Sequence, residues 1–170
     1  MNTLTTTPRP VWSALQRYLL CIAFLMFLWE IAHLPLYTIW TEASWSRLIY
    51  AIAHCTLGDI VIALSTLVLA VLMTNRDWPQ SINVRMVVAL TLAGAGYAIY
   101  SEASNLARGA WAYNASMPTL PVLGTGITPL LQWLLLPPLA LFFADRLFRS
   151  TPNLRSENNA NVTLSMGEPQ

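Results

Sequence analysis

Four long apolar stretches, about residues 17–38, 48–74, 84–105 and 128–148, take up most of this 170-residue chain and decide what it can become. Each is near the roughly 20 residues that an α-helix needs to cross a hydrocarbon core of about 30 Å. Inside lipid a backbone must satisfy its own hydrogen bonds, so stretches of this kind cross as helices. Composition agrees, with 55% hydrophobic and only 10% charged residues and a mean hydropathy of +0.50, against roughly 25% charge in an ordinary soluble domain. The sequence therefore predicts an all-α fold: a polytopic membrane protein with an antiparallel bundle of four transmembrane helices.

The connections are too short for a separate soluble domain, so residues 1–150 are expected to form one four-helix domain. Residues 151–170 are polar, rich in Asn and Ser and without apolar periodicity, which predicts a disordered cytoplasmic tail. The first stretch follows Arg9 and Arg17 as a secretory signal would. Its apolar core is too long, however, and no small-x-small cleavage site follows, so it reads as a retained first helix. Cys21 and Cys55 fall in different helices at opposite leaflets, and no CxxC is present, so no disulfide is expected.

Orientation comes from the arginines, which are all nine of the basic residues. Arg9, Arg17, Arg76, Arg85, Arg146, Arg149 and Arg155 fall on one side of the predicted membrane, and only Arg47 and Arg108 on the other. Counted close to the helix ends, this bias puts both termini in the cytoplasm. The loop from Leu106 to Ile127 then faces outward; with Trp111, Tyr113, two prolines between 118 and 121 and two glycines between 124 and 126, it is expected to lie as an ordered lid near the headgroups.

Polar residues inside the stretches carry the functional signal. At 1.5 Å per residue, Glu30 and His33 lie roughly 20 and 24 Å from the cytoplasmic start of the first helix, and His54 and Asp59 roughly 9 and 16 Å below the outer start of the second. Glu102 and Asn105 arrive near the same outer surface on the third helix, and Gln132 on the fourth. The inner half is almost wholly aliphatic. Glu30, His33 and Tyr37 share one helical stripe, whereas His54 and Asp59, five apart, differ by about 140° around the axis. An ionisable group in a span costs on the order of 2.5–3.5 kcal/mol, so these residues must pair, hold a ligand or meet water.

Three readings follow. One is interhelical hydrogen bonding that only holds helices together, as in a non-catalytic accessory or scaffold subunit. The second is an outward pocket for a metal ion or small ligand, with His33 and His54 as imidazole ligands and Glu30, Asp59 and Glu102 as carboxylates, a donor set suited to zinc, copper or iron. Glu30-x-x-His33 has the spacing used in di-iron bundles, but those use two such motifs and only one occurs here. The third is a proton path, since carboxylate and histidine chains relay protons in membranes; the aliphatic inner half favours a pocket over a channel. Small side chains, notably Gly58, Gly94 and Gly96, are expected at helix contacts. The expected partners are the lipid bilayer and another membrane protein or a second copy of the chain, with no nucleic acid.

Length and topology are similar to those of disulfide-generating quinone reductases, whose paired outer cysteines are missing here, and of di-haem b-type cytochromes, which need histidines at both leaflets. The stretches WEIAH, HCTLGD and MPTLPVLGTGITPLLQW together resemble an uncharacterised family of small four-helix bacterial inner-membrane proteins across most of residues 29–138. That resemblance implies the bacterial inner membrane and carries no activity.

Overall fold

The computed structural model describes residues 9–149 of the chain; the expected tail at 151–170 lies outside the described residues. Five α-helices run in order: α1 Val11–His33, α2 Ile39–Glu42, α3 Trp45–Thr74, α4 Val84–Ala107 and α5 Ile127–Arg149, with a 3₁₀ turn at Leu34–Leu36 between α1 and α2. Four of them, α1, α3, α4 and α5, are long and apolar enough to cross a membrane. Among the described residues there is no strand, only isolated bridges pairing Tyr37 with Tyr113 and Thr119 with Gly126. Helix α1 packs on α3 and α5, and α4 packs on the same two, so the four long helices close into a ring.

The ends of α1 differ from the expected 17–38 for local reasons. Its start at Val11 follows Pro10, whose extended backbone ends the preceding segment. It stops at His33 rather than Thr38 because Pro35 follows, lacking the N–H that another turn would need and crowding the residue before it. Helix α3 starts at Trp45, three residues ahead of the expected 48, after Ser44 in extended backbone. Helix α4 opens where Asn83 accepts the Met86 N–H at 2.9 Å, satisfying one of the free donors of its first turn.

Each long helix buries a narrow stripe. Tyr18, Ile22 and Met26 of α1 meet Ala63, Leu67 and Ala70 of α3, Met86 and Leu90 of α4, and Trp133, Leu136 and Ala140 of α5. The rest of the surface shows large apolar side chains to the outside, among them Leu20 at 72%, Leu57 at 64% and Leu92 at 64% exposure. A water-soluble domain does not carry so continuous an apolar surface; it suits lipid. Hydroxyls within the apolar half turn back on their own helix, as in Ser65 to the Val61 carbonyl at 2.8 Å and Thr66 to the Ile62 carbonyl at 2.9 Å.

Of the three glycines expected at helix contacts, one is there. A methyl on Gly94 would overlap the indole of Trp133, meeting Cδ2 and Cζ3 at 3.1 Å. Gly58 and Gly96 face open space on the outside of the ring, with nothing within 4 Å of an added Cβ. Two prolines, Pro137 and Pro138, stand inside α5. Cys21 and Cys55 are both free thiols.

At the N-terminal end of α1 the described chain is strapped together. Arg9 pairs with Asp145 of α5, and its backbone exchanges two 2.8 Å hydrogen bonds with the Gln80 amide of the α3–α4 link. A cavity of about 310 Å³ lies here, beside Arg9, Gln80, Val87 and Phe142.

Candidate functional site

At the other end of α1 its last full turn delivers Glu30 and His33, three residues apart and so on one face. Both are buried, and His33 Nε2 stands 3.3 Å from Glu30 Oε2. From the second turn of α5 comes Gln132, only 3% exposed. Its Nε2 donates to Asp59 Oδ2 at 2.8 Å and lies 3.3 Å from Glu30 Oε1 and 3.1 Å from Met26 Sδ. One amide thus draws together carboxyls from α1 and α3, and the two carboxyls face each other. Tyr97 is 43% exposed on the outside of α4, so it plays no part in holding Asp59.

Glu102, near the end of α4 and 6% exposed, is the third carboxylate. The Tyr37 hydroxyl reaches its two oxygens at 3.5 and 3.4 Å, and the Tyr113 hydroxyl donates to Oε2. His33 is within electrostatic reach of the same carboxylate. The indole N–H of Trp111 faces Glu102 but makes no hydrogen bond of ordinary geometry. Burial first, and then the adjacent Glu102 carboxylate, hold the Tyr37 and Tyr113 hydroxyls above the usual tyrosine range, so both remain neutral donors. Among the described residues, His33 is the one basic side chain in hydrogen-bond or ion-pair contact with these carboxylates.

The loop between α4 and α5 covers the centre. Its backbone pairs with the chain leaving α1, through the Thr38 N–H to the Ala112 carbonyl at 3.0 Å and the Asn114 N–H to the Leu36 carbonyl at 2.8 Å. The Gly126 N–H donates to the Tyr113 hydroxyl at 2.8 Å, so this one phenol links the two ends of the loop to Glu102. Gly109 and Gly124 provide the left-handed backbone the loop turns require, at φ of 64° and 63°. Met117 and Thr125 are buried beneath it. The expected ordered lid at 106–127 is present as a folded cap over the bundle end. An edge-to-face series of rings, Trp29 on His33, His33 on Tyr37, and Tyr37 on both Trp111 and Tyr113, packs around the carboxylates.

Of the residues singled out in the sequence, the structure brings Glu30, His33, Asp59 and Glu102 into one neighbourhood. It leaves His54 outside: the ring is exposed on the outer face of α3, stacked on Tyr50 at 5.6 Å between centroids. Five residues of helix turn a side chain by about 140°, which carries His54 away when Asp59 faces in. With His54 gone the donor set for a transition metal falls short, and among the described residues no three His, Cys, Asp or Glu side chains are disposed to hold one ion. Gln132 was placed at this depth by the sequence, but not as the bridge. Tyr113 carried no signal, because its contact depends on how a loop folds back over α4. Ser101, Asn105 and Arg108 form a separate ladder at the end of α4, in which Asn105 donates to the Ser101 carbonyl and Arg108 to Asn105, both at 2.8 Å. Because His54 touches nothing in the centre, His54→Ala is expected to leave thermal unfolding within about 0.5 kcal/mol of the parent, as measured in detergent; a larger loss would place the ring in a role that this geometry lacks.

Comparison with protein-family models, with curated proteins and with solved structures finds no match.

Proposed function

We propose that the protein is a multi-pass protein of the bacterial inner membrane, its helices antiparallel and both termini cytoplasmic, whose carboxylate centre binds protons near the periplasmic face. The observation that carries this is the Gln132 amide in contact with Glu30 and Asp59 at once. Two carboxylates held on one donor, with His33 the one basic side chain beside them among the described residues, are not expected both to stay ionised in a low-dielectric site. A proton between them removes the repulsion and needs no cavity. The small ligand of the site is then the proton itself.

The test is infrared spectroscopy of the purified protein. A protonated-carboxyl stretching band is expected at neutral pH, and Asp59→Asn is expected to remove it while helix content is retained, since an amide keeps the hydrogen-bonding shape without the proton. A spectrum in which every carboxyl of the parent is ionised would sink the proposal. The accessory reading is favoured by a different observation: the hydrogen bonds of the centre join α1, α3 and α5, and tie α4 to the cap. If that were the whole role, Asp59→Asn would change neither the infrared band nor any cellular phenotype of deleting the gene.

A further inference from the structure

We propose that His33 relays protons between Glu102 and the Glu30–Asp59 pair. The inference rests on the proton-binding reading above and adds a route to it. One ring nitrogen, Nε2, stands 3.3 Å from Glu30 Oε2. The other, Nδ1, is buried and has no hydrogen-bond partner, in a residue only 8% exposed. A histidine that serves only as packing normally spends its second nitrogen on a carbonyl or carboxylate, because an unmet buried polar atom costs roughly 1–3 kcal/mol. That nitrogen is therefore open to accept a proton.

The surroundings say what. The Tyr37 ring packs edge-on against the imidazole at 5.4 Å and sends its hydroxyl to Glu102, which is itself within electrostatic reach of His33. Glu102 is in turn held by Tyr113 of the covering loop, and Glu30, which His33 Nε2 meets, faces Asp59. The titratable groups around the ring are Glu30 from α1, Tyr37 from the turn after it, Cys55 and Asp59 from α3, Glu102 from α4 and Tyr113 from the loop; α5 offers the neutral Gln132.

A neutral imidazole carries one N–H and one bare nitrogen. A proton leaving the Glu102 carboxyl adds to the bare nitrogen and gives an imidazolium; the proton on the opposite nitrogen then passes to the Glu30 carboxylate. Glu102 ends ionised, Glu30 ends protonated and the ring ends neutral in its other tautomer, so one proton has moved and total charge is unchanged. Passage in the reverse direction restores the first tautomer.

The experiment is a rapid pH jump on the full-length protein in detergent, with the carboxyl band of the Glu30–Asp59 pair followed by time-resolved infrared spectroscopy. His33→Asn is expected to slow proton equilibration by at least about tenfold, the low end of what a positioned acid–base group contributes, with the final amplitude unchanged. A rate within about twofold of the parent at full amplitude overturns the relay and leaves the proton-binding centre standing. Loss of the amplitude overturns it too, by showing that His33 holds the pair in place. Absence of the band in the parent removes the centre and the relay together. If His33→Asn does not fold, nitrogen NMR of the unmodified protein decides: both tautomers of His33 are expected, with their ratio shifted by Glu102→Gln, and a single tautomer indifferent to that change overturns the proposal.

Discussion

Gln132→Leu is expected to destabilise the folded protein by about 2–3 kcal/mol, from the desolvated carboxylates it strands. Interhelical hydrogen bonds in membrane proteins average only about 0.6 kcal/mol, because the separated helices find other partners. The larger figure holds here because the amide serves two acids from two helices, and apart from the proton proposed between them neither has a second strong donor among the described residues. Glu30 keeps only the His33 nitrogen at 3.3 Å. Leucine fills nearly the same volume, so little of the loss comes from a cavity. Unfolding followed by circular dichroism as denaturing detergent is added measures it, and the double variant Gln132→Leu, Asp59→Leu should lose less than the two single losses added together, since the stranded group goes with its donor. A single-variant loss under about 0.6 kcal/mol would show that the amide is an ordinary interhelical contact.

Gly94→Ala is the second large effect. The new methyl would collide with Trp133, a side chain only 3% exposed and packed in the core, and forcing an extra carbon into a filled core costs typically about 1–3 kcal/mol. Alanine is also the better helix former, by about 0.8–1.0 kcal/mol, and that gain is what Gly58→Ala and Gly96→Ala should show alone, since both face open space. The three variants therefore separate by sign: Gly94→Ala less stable than the parent, the other two equal or more stable. Equal behaviour of all three would mean that α4 and α5 do not meet at Gly94.

The spans were legible because a run of about 20 apolar residues has few other uses, and Pro35 in the sequence already marks where α1 has to stop. Depth was partly legible: counting 1.5 Å per residue brought Glu30, Asp59, Glu102 and Gln132 to one end of the bundle. What counting could not give was direction around each axis. His54 and Gly58 were drawn inward by the expectation that polar and small residues face a neighbour, whereas α3 packs chiefly on α1 and α4 and turns that face outward. Contacts made by connecting segments were out of reach altogether. Tyr113 on Glu102 and Arg9 on Asp145 join residues 11 and 136 positions apart, and no periodicity encodes such pairs.

Pro137 and Pro138 bear on how the two ends of the molecule communicate. Neither has a backbone N–H, so the carbonyls of Trp133 and Leu134 lose their helical donors at two adjacent rungs. The portion of α5 before this point carries Gln132 and the portion after it carries Asp145, each fastened to different partners. A helix with two missing rungs is a soft joint between two stiff rods. Under the proton-binding proposal, a shift of Gln132 would bend α5 at this joint and leave the strap formed by Arg9 and Asp145 closed.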